Sequence, residues 1–107
     1  MNYLVKLNGV DPELMSESRL IEYANNRLEA NPEDKEIWVK VEDVETACEV
    51  LESYNEQVVY YILEDWAGNQ LSEQKFETFD STWDYIRETY EETDFEDLYA
   101  IEKIYFP

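Results

Sequence analysis

The chain is 107 residues long and carries 27 acidic and 8 basic side chains, for a formal charge of −19. High charge with low hydropathy marks disordered chains, but 44% hydrophobic residues, 15% aromatic residues and only 2 glycines exclude that reading and point to one folded domain over residues 1–107. With no histidine and a single cysteine, Cys48, the usual neutral-pH general base, the commonest metal ligand and any internal disulfide are excluded as well.

Tyr3–Leu7 reads as a short strand, closed by Asn8-Gly9 and Asp11-Pro12. Ser18 is the expected N-cap of a first helix running to Ala30, with Leu20, Ile21, Ala24 and Leu28 on one face, and Asn31-Pro32 ends it. Ile37–Val41 reads as a second strand. Asp43 then caps a helix to about Tyr54, with Val44, Ala47, Cys48 and Leu51 at helical spacing. Val58–Glu64 is almost continuously apolar, which predicts a strand central in a sheet. Asp65-Trp66-Ala67-Gly68-Asn69 predicts a turn opening a hairpin into a weaker strand, Gln70–Phe79. Asp80 or Ser81 caps a third helix to about Glu91, with Trp83, Ile86 and Tyr90 inward, and Leu98–Phe106 is a last strand. The expected order is β-α-β-α-β-β-α-β, an α+β fold with a mostly antiparallel sheet and helices packed on it.

Catalytic chemistry finds little purchase. Without histidine, neither a Ser-His nor a Cys-His nucleophile pair can be built. Cys48 lies on the apolar face of the second helix, where an inert core thiol is expected. Two carboxylates suffice for glycoside hydrolysis, yet among 27 acids some pair always falls at a suitable distance, so that pattern is unspecific. Gly9 and Gly68 are the only glycines, which leaves no phosphate-cradling loop. Asp65, Asn69, Asp94, Glu96 and Asp97 offer oxygens to a calcium ion but miss the EF-hand spacing. The expectation is a protein with no catalytic residues, no cofactor and no metal. Met1–Leu7 is too short and polar for a signal peptide, no run approaches the ~18 apolar residues of a membrane span, and a lone cysteine suits a reducing cytoplasm. An anionic membrane surface would repel the chain.

The negative charge is uneven. Residues 1–35 hold seven acids and four bases, residues 36–66 nine acids and one base, and residues 67–107 eleven acids and three bases. The last two segments therefore carry −8 each. Glu45, Glu49, Glu52 and Glu56 follow steps of 4, 3 and 4, and Asp80, Asp84, Glu88 and Glu91 steps of 4, 4 and 3, so each set predicts an acidic stripe along one helix face. Like charges so spaced cost about 0.2–0.5 kcal/mol per pair, which interspersed lysines would have reversed. Solubility requires a net charge of only roughly 2–8 in magnitude. Halophilic adaptation would favour small side chains over these Tyr, Ile and Trp residues. The stripes thus read either as plain solvated faces or as a binding surface for something basic, and the excess of charge favours the surface. After the third helix, Glu91, Glu92, Asp94, Glu96 and Asp97 surround Phe95, which suits either the core or an open aromatic in that surface.

These stripes, the Glu91-to-Asp97 run and the Tyr- and Trp-rich small α+β body resemble phage and plasmid anti-defence proteins, among them ArdA- and Ocr-type antirestriction proteins and acidic anti-CRISPR proteins. The resemblance is one of composition and charge layout over residues 36–107, with no aligned motif. It implies a mimic of DNA charge, acting in the bacterial host cytoplasm as a monomer or homodimer. Such a mimic occupies the basic groove of a nucleic-acid-binding protein, such as a CRISPR-Cas effector, a restriction enzyme or a nuclease, and does not bind nucleic acid itself. An immunity protein or antitoxin against a basic nuclease, and an acidic phage adaptor, remain alternatives with the same electrostatics. The expected partner-binding residues are Glu45, Glu49, Glu52, Glu56, Asp80, Asp84, Glu88, Glu91, Glu92, Asp94, Glu96 and Asp97.

Overall fold

A computed structural model describes residues 2–34 and 40–105. Their order is β1 (Asn2–Lys6), β2 (Glu13–Ser16), α1 (Glu17–Ala30), α2 (Val44–Ser53), β3 (Gln57–Asp65), α3 (Phe79–Thr89), a 3-10 helix (Glu92–Asp97) and β4 (Leu98–Ile104). The strands form one sheet in the order β2-β1-β3-β4, with β3 central as its apolar run predicts. β1 and β2 pair antiparallel, with Tyr3 opposite Met15. After β4, the Tyr105 N–H donates to the Val58 carbonyl, and Tyr61 Oη donates to Glu102, so β3 and β4 run in opposite directions. The class is the expected α+β.

Several boundaries fall elsewhere than expected, for local reasons. β2 is an element the sequence did not announce, because four residues with only Met15 buried leave no period to read. Since β2 runs to Ser16, that residue and not Ser18 caps α1, its Oγ accepting from the Arg19 N–H at 3.3 Å. The expected strand Ile37–Val41 lies outside the described residues except for Lys40 and Val41, which are not in a strand; the Val41 backbone instead exchanges two 3.0 Å hydrogen bonds with the Asn25 side chain. Asp43 caps α2 as expected, accepting from Thr46 N–H at 2.7 Å. The turn after β3 is built on the Asp65 carboxylate, which accepts from the Ala67 and Asn69 amides at 3.0 and 2.9 Å, while Gly68 takes φ +83°. The weak strand Gln70–Phe79 reduces to two bridges, Gln70 to Glu64 and Phe76 to Tyr61.

The chain divides into two compact units. One comprises residues 1–58 and 104–107, the other residues 59–103. The first unit buries Val5, Met15, Leu20, Ala24, Leu28, Ala47, Val50, Leu51 and Val58 in a common cluster. The second is centred on Leu63, Phe76, Ile86 and Leu98, with Trp83, Tyr85, Tyr90 and Phe95 half-buried around them. Among the described residues, no helix is long and apolar enough to cross a membrane.

Candidate functional site

In the first unit, α2 turns Ala47, Cys48, Val50 and Leu51 inward and leaves Glu45, Glu49 and Glu52 exposed. At 100° per residue the three carboxylates lie within about a sixth of a turn of one another, and Cys48 at the near edge of the apolar face is only about 40° from Glu52. Their field reaches the core. The Cys48 thiol is pushed up to about 12, first by burial and then by Glu45, Glu49 and Glu52. It is a proton-bound core thiol, as expected.

Glu56 departs from the stripe. α2 ends at Ser53, and the chain leaves it through a Schellman closure: the Asn55 N–H donates to the Glu52 carbonyl at 3.0 Å and the Glu56 N–H to the Leu51 carbonyl at 2.9 Å. Asn55 supplies the left-handed residue this closure requires, at φ +61°. The reversal swings Glu56 inward, where it is fully buried. Its carboxylate pairs with the Arg27 guanidinium and accepts from Tyr23 Oη at 2.8 Å. Arg27 in turn lies 5.6 Å from the ring centroids of both Tyr23 and Tyr54, and Tyr54 Oη donates to Asp34. Glu56 is therefore a structural residue and not part of the acidic surface.

In the second unit, α3 is capped two or three residues earlier than expected. Thr78, not Asp80 or Ser81, is the cap, and Thr78 and Ser81 close a reciprocal capping box at 3.0 Å in each direction. Asp80 thereby enters the first turn, where the helix dipole favours a carboxylate. Thr82 and Ile86 face inward, and Asp80, Asp84 and Glu88 stand exposed on the opposite side. Glu91, expected as the stripe's fourth member, lies beyond the helix, which ends at Thr89; it is exposed and leads into the 3-10 helix. There Glu92, Asp94, Glu96 and Asp97 are exposed too.

Residues 79–97 thus gather eight carboxylates and one base, Arg87. Arg87 pairs with Asp84 at 3.1 Å with both side chains largely exposed; such a pair contributes about 0–1 kcal/mol. Among the described residues, Asp84 is the one member of this set in an ion pair. Phe95 is half-buried, its ring edge-on to Trp83 at 5.9 Å, so it joins the acidic 3-10 helix to the α3 surface. Phe79 continues the line, 6.4 Å from Trp83 and 6.1 Å from Tyr61, with 51% of its surface exposed. Sequence reasoning missed Phe79; the signal was its four-residue step to Trp83, running beside the same step from Asp80 to Asp84.

Eleven of the twelve expected partner-binding residues are exposed, and Glu56 is not. They fall in two sets: Glu45, Glu49 and Glu52 in the first unit, the other eight in the second. Asp65 and Asn69, considered above as calcium ligands, are engaged in the turn: the Asp65 carboxyl is held below its usual range, chiefly by hydrogen bonds from Asn69. Among the described residues, no group of three or more His, Cys, Asp or Glu is arranged to hold a metal ion. No family model, curated protein sequence or solved structure matches this chain.

Proposed function

We propose that the chain is a DNA mimic, an inhibitor that occupies the basic nucleic-acid-binding groove of a host defence protein such as a CRISPR-Cas effector or restriction enzyme, acting in the bacterial cytoplasm and catalysing nothing. The observation that carries the reading is the exposed set on α3, on the 3-10 helix and at Glu91 between them, eight carboxylates within 19 residues and a single base among them. A groove lined with Lys and Arg meets a phosphate backbone by releasing its counterions, and a folded surface of fixed carboxylates meets it by the same electrostatics. The absence of histidine from the chain supports the non-enzymatic part of the reading.

The test is capture from bacterial lysate on the immobilised chain, with elution by duplex DNA. The expected result is a basic nucleic-acid-binding protein, retained by the wild type, lost with the D80K/D84K/E88K variant and released by the duplex. If that protein is a toxin nuclease, the immunity alternative replaces defence inhibition. A retained protein with no affinity for nucleic acid, unmoved by the duplex, would refute mimicry.

A further inference from the structure

We propose that the aromatic line Tyr61–Phe79–Trp83–Phe95 is the docking seam for an arginine-rich segment of the protein partner, and that the seam selects arginine over lysine. This rests on the mimic reading and adds the chemistry of the partner's contact side chains.

The four rings are in successive contact, at centroid separations of 6.1, 6.4 and 5.9 Å, and all belong to the second unit. Phe79 is half exposed although it is a large apolar side chain on a helix whose inward face is already supplied by Thr82 and Ile86. Tyr61 Oη donates to Glu102 at 3.0 Å, and each of the other three rings has an exposed carboxylate next to it in the chain. Asp80 and Asp84 follow Phe79 and Trp83 along α3, and Asp94 and Glu96 flank Phe95 in the chain.

Charge complementarity selects the occupant. A purely apolar segment laid on the rings would desolvate those carboxylates and leave them without partners, which is costly. A lysine satisfies a carboxylate, but its ammonium is compact and strongly hydrated. A guanidinium is planar and weakly hydrated, so it stacks on a ring face while its N–H fork reaches a carboxylate. The first unit displays this same combination within the chain, where Arg27 lies against Tyr23 and Tyr54 and pairs with Glu56. Grooves that bind nucleic acid rely on such arginines for phosphates and for stacking on bases.

The experiment titrates labelled nona-arginine and nona-lysine against the full chain at about 150 mM salt and reads fluorescence anisotropy. The expected result is tighter binding of nona-arginine by about fivefold, the scale of an exposed cation–π contact. Phe79→Ala should bring the two affinities together chiefly by weakening the arginine peptide. Phe79→Tyr should keep the preference, which separates loss of the ring from damage to the helix; thermal melts of both variants accompany the titration. Equal affinities in the wild type, or a preference unchanged in Phe79→Ala, would overturn the seam while leaving the mimic reading standing. Failure of both peptides to bind even at low salt would overturn both.

Discussion

Glu56 is fixed by its neighbours on both sides of the charge. Arg27 neutralises it and Tyr23 donates to it, inside a unit where it has no solvent contact. Removing one member of a buried pair strands the other, which typically costs about 3–5 kcal/mol. Arg27 keeps 37% of its side-chain surface, so solvent recovers part of that loss. Glu56→Ala is expected to lower stability by about 2–3 kcal/mol in urea titrations, whereas Glu52→Ala, one turn back and exposed, should change it by less than about 0.5 kcal/mol. Equal effects at the two positions would mean that Glu56 belongs to the solvated stripe after all. In the sequence, Glu56 is indistinguishable from its stripe by spacing. The distinguishing signal is Asn55 just before it, a residue that tolerates the left-handed conformation and so marks where the helical period stops applying.

At the scale of elements, two helices carry their acids outward on ordinary amphipathic geometry, and the acids of α3 continue into the 3-10 helix. Steering by such surfaces depends on summed charge rather than on any one contact. Reversing E45K/E49K/E52K on α2, or D80K/D84K/E88K on α3, should slow association with the captured partner by more than about tenfold and flatten its salt dependence. The same changes should leave the fold intact, with the melting temperature moved by no more than a few degrees: the lower net charge relieves overall repulsion, while a lysine in the first helical turn gives back part of that gain. Reversing Glu13 on β2 with Glu17 and Glu29 on α1 should slow association by less than about threefold, because residues 1–35 carry a net of only −3. If that triple abolishes binding while both others are silent, the binding surface lies elsewhere. Stopped-flow or surface-based kinetics decide it. The helices, their inward faces and the central strand β3 were legible because each spans enough residues to show its period. β2 was not, with one buried residue in four. The α3 cap is Thr78 and not Asp80 or Ser81 because the Ser81 side chain closes a capping box back onto Thr78, a pairing that the acid at Asp80 masks in the sequence. The acidic surface was legible in outline, since exposed charge follows helix geometry, but the aromatic line required tertiary contact between Phe95 of the 3-10 helix and Trp83 of α3.

Over the whole molecule, 27 acids against 8 bases set the fold against its own repulsion. The two units share that load almost equally, with thirteen acids and three bases in the second and fourteen acids and five bases in the first. Each offsets it with its own apolar cluster. A charge of this size, carried outward on exposed carboxylates, exceeds what keeps a small domain soluble, and we propose that it imitates nucleic acid. The direct measurement is a competition titration: the captured partner is loaded with a fluorescent duplex, and the chain is added at increasing concentration while anisotropy is followed. The account predicts full loss of the duplex signal with one chain bound per groove, and no binding of the duplex by the chain alone. A stable ternary complex, in which partner, duplex and chain remain together at saturation, would contradict it.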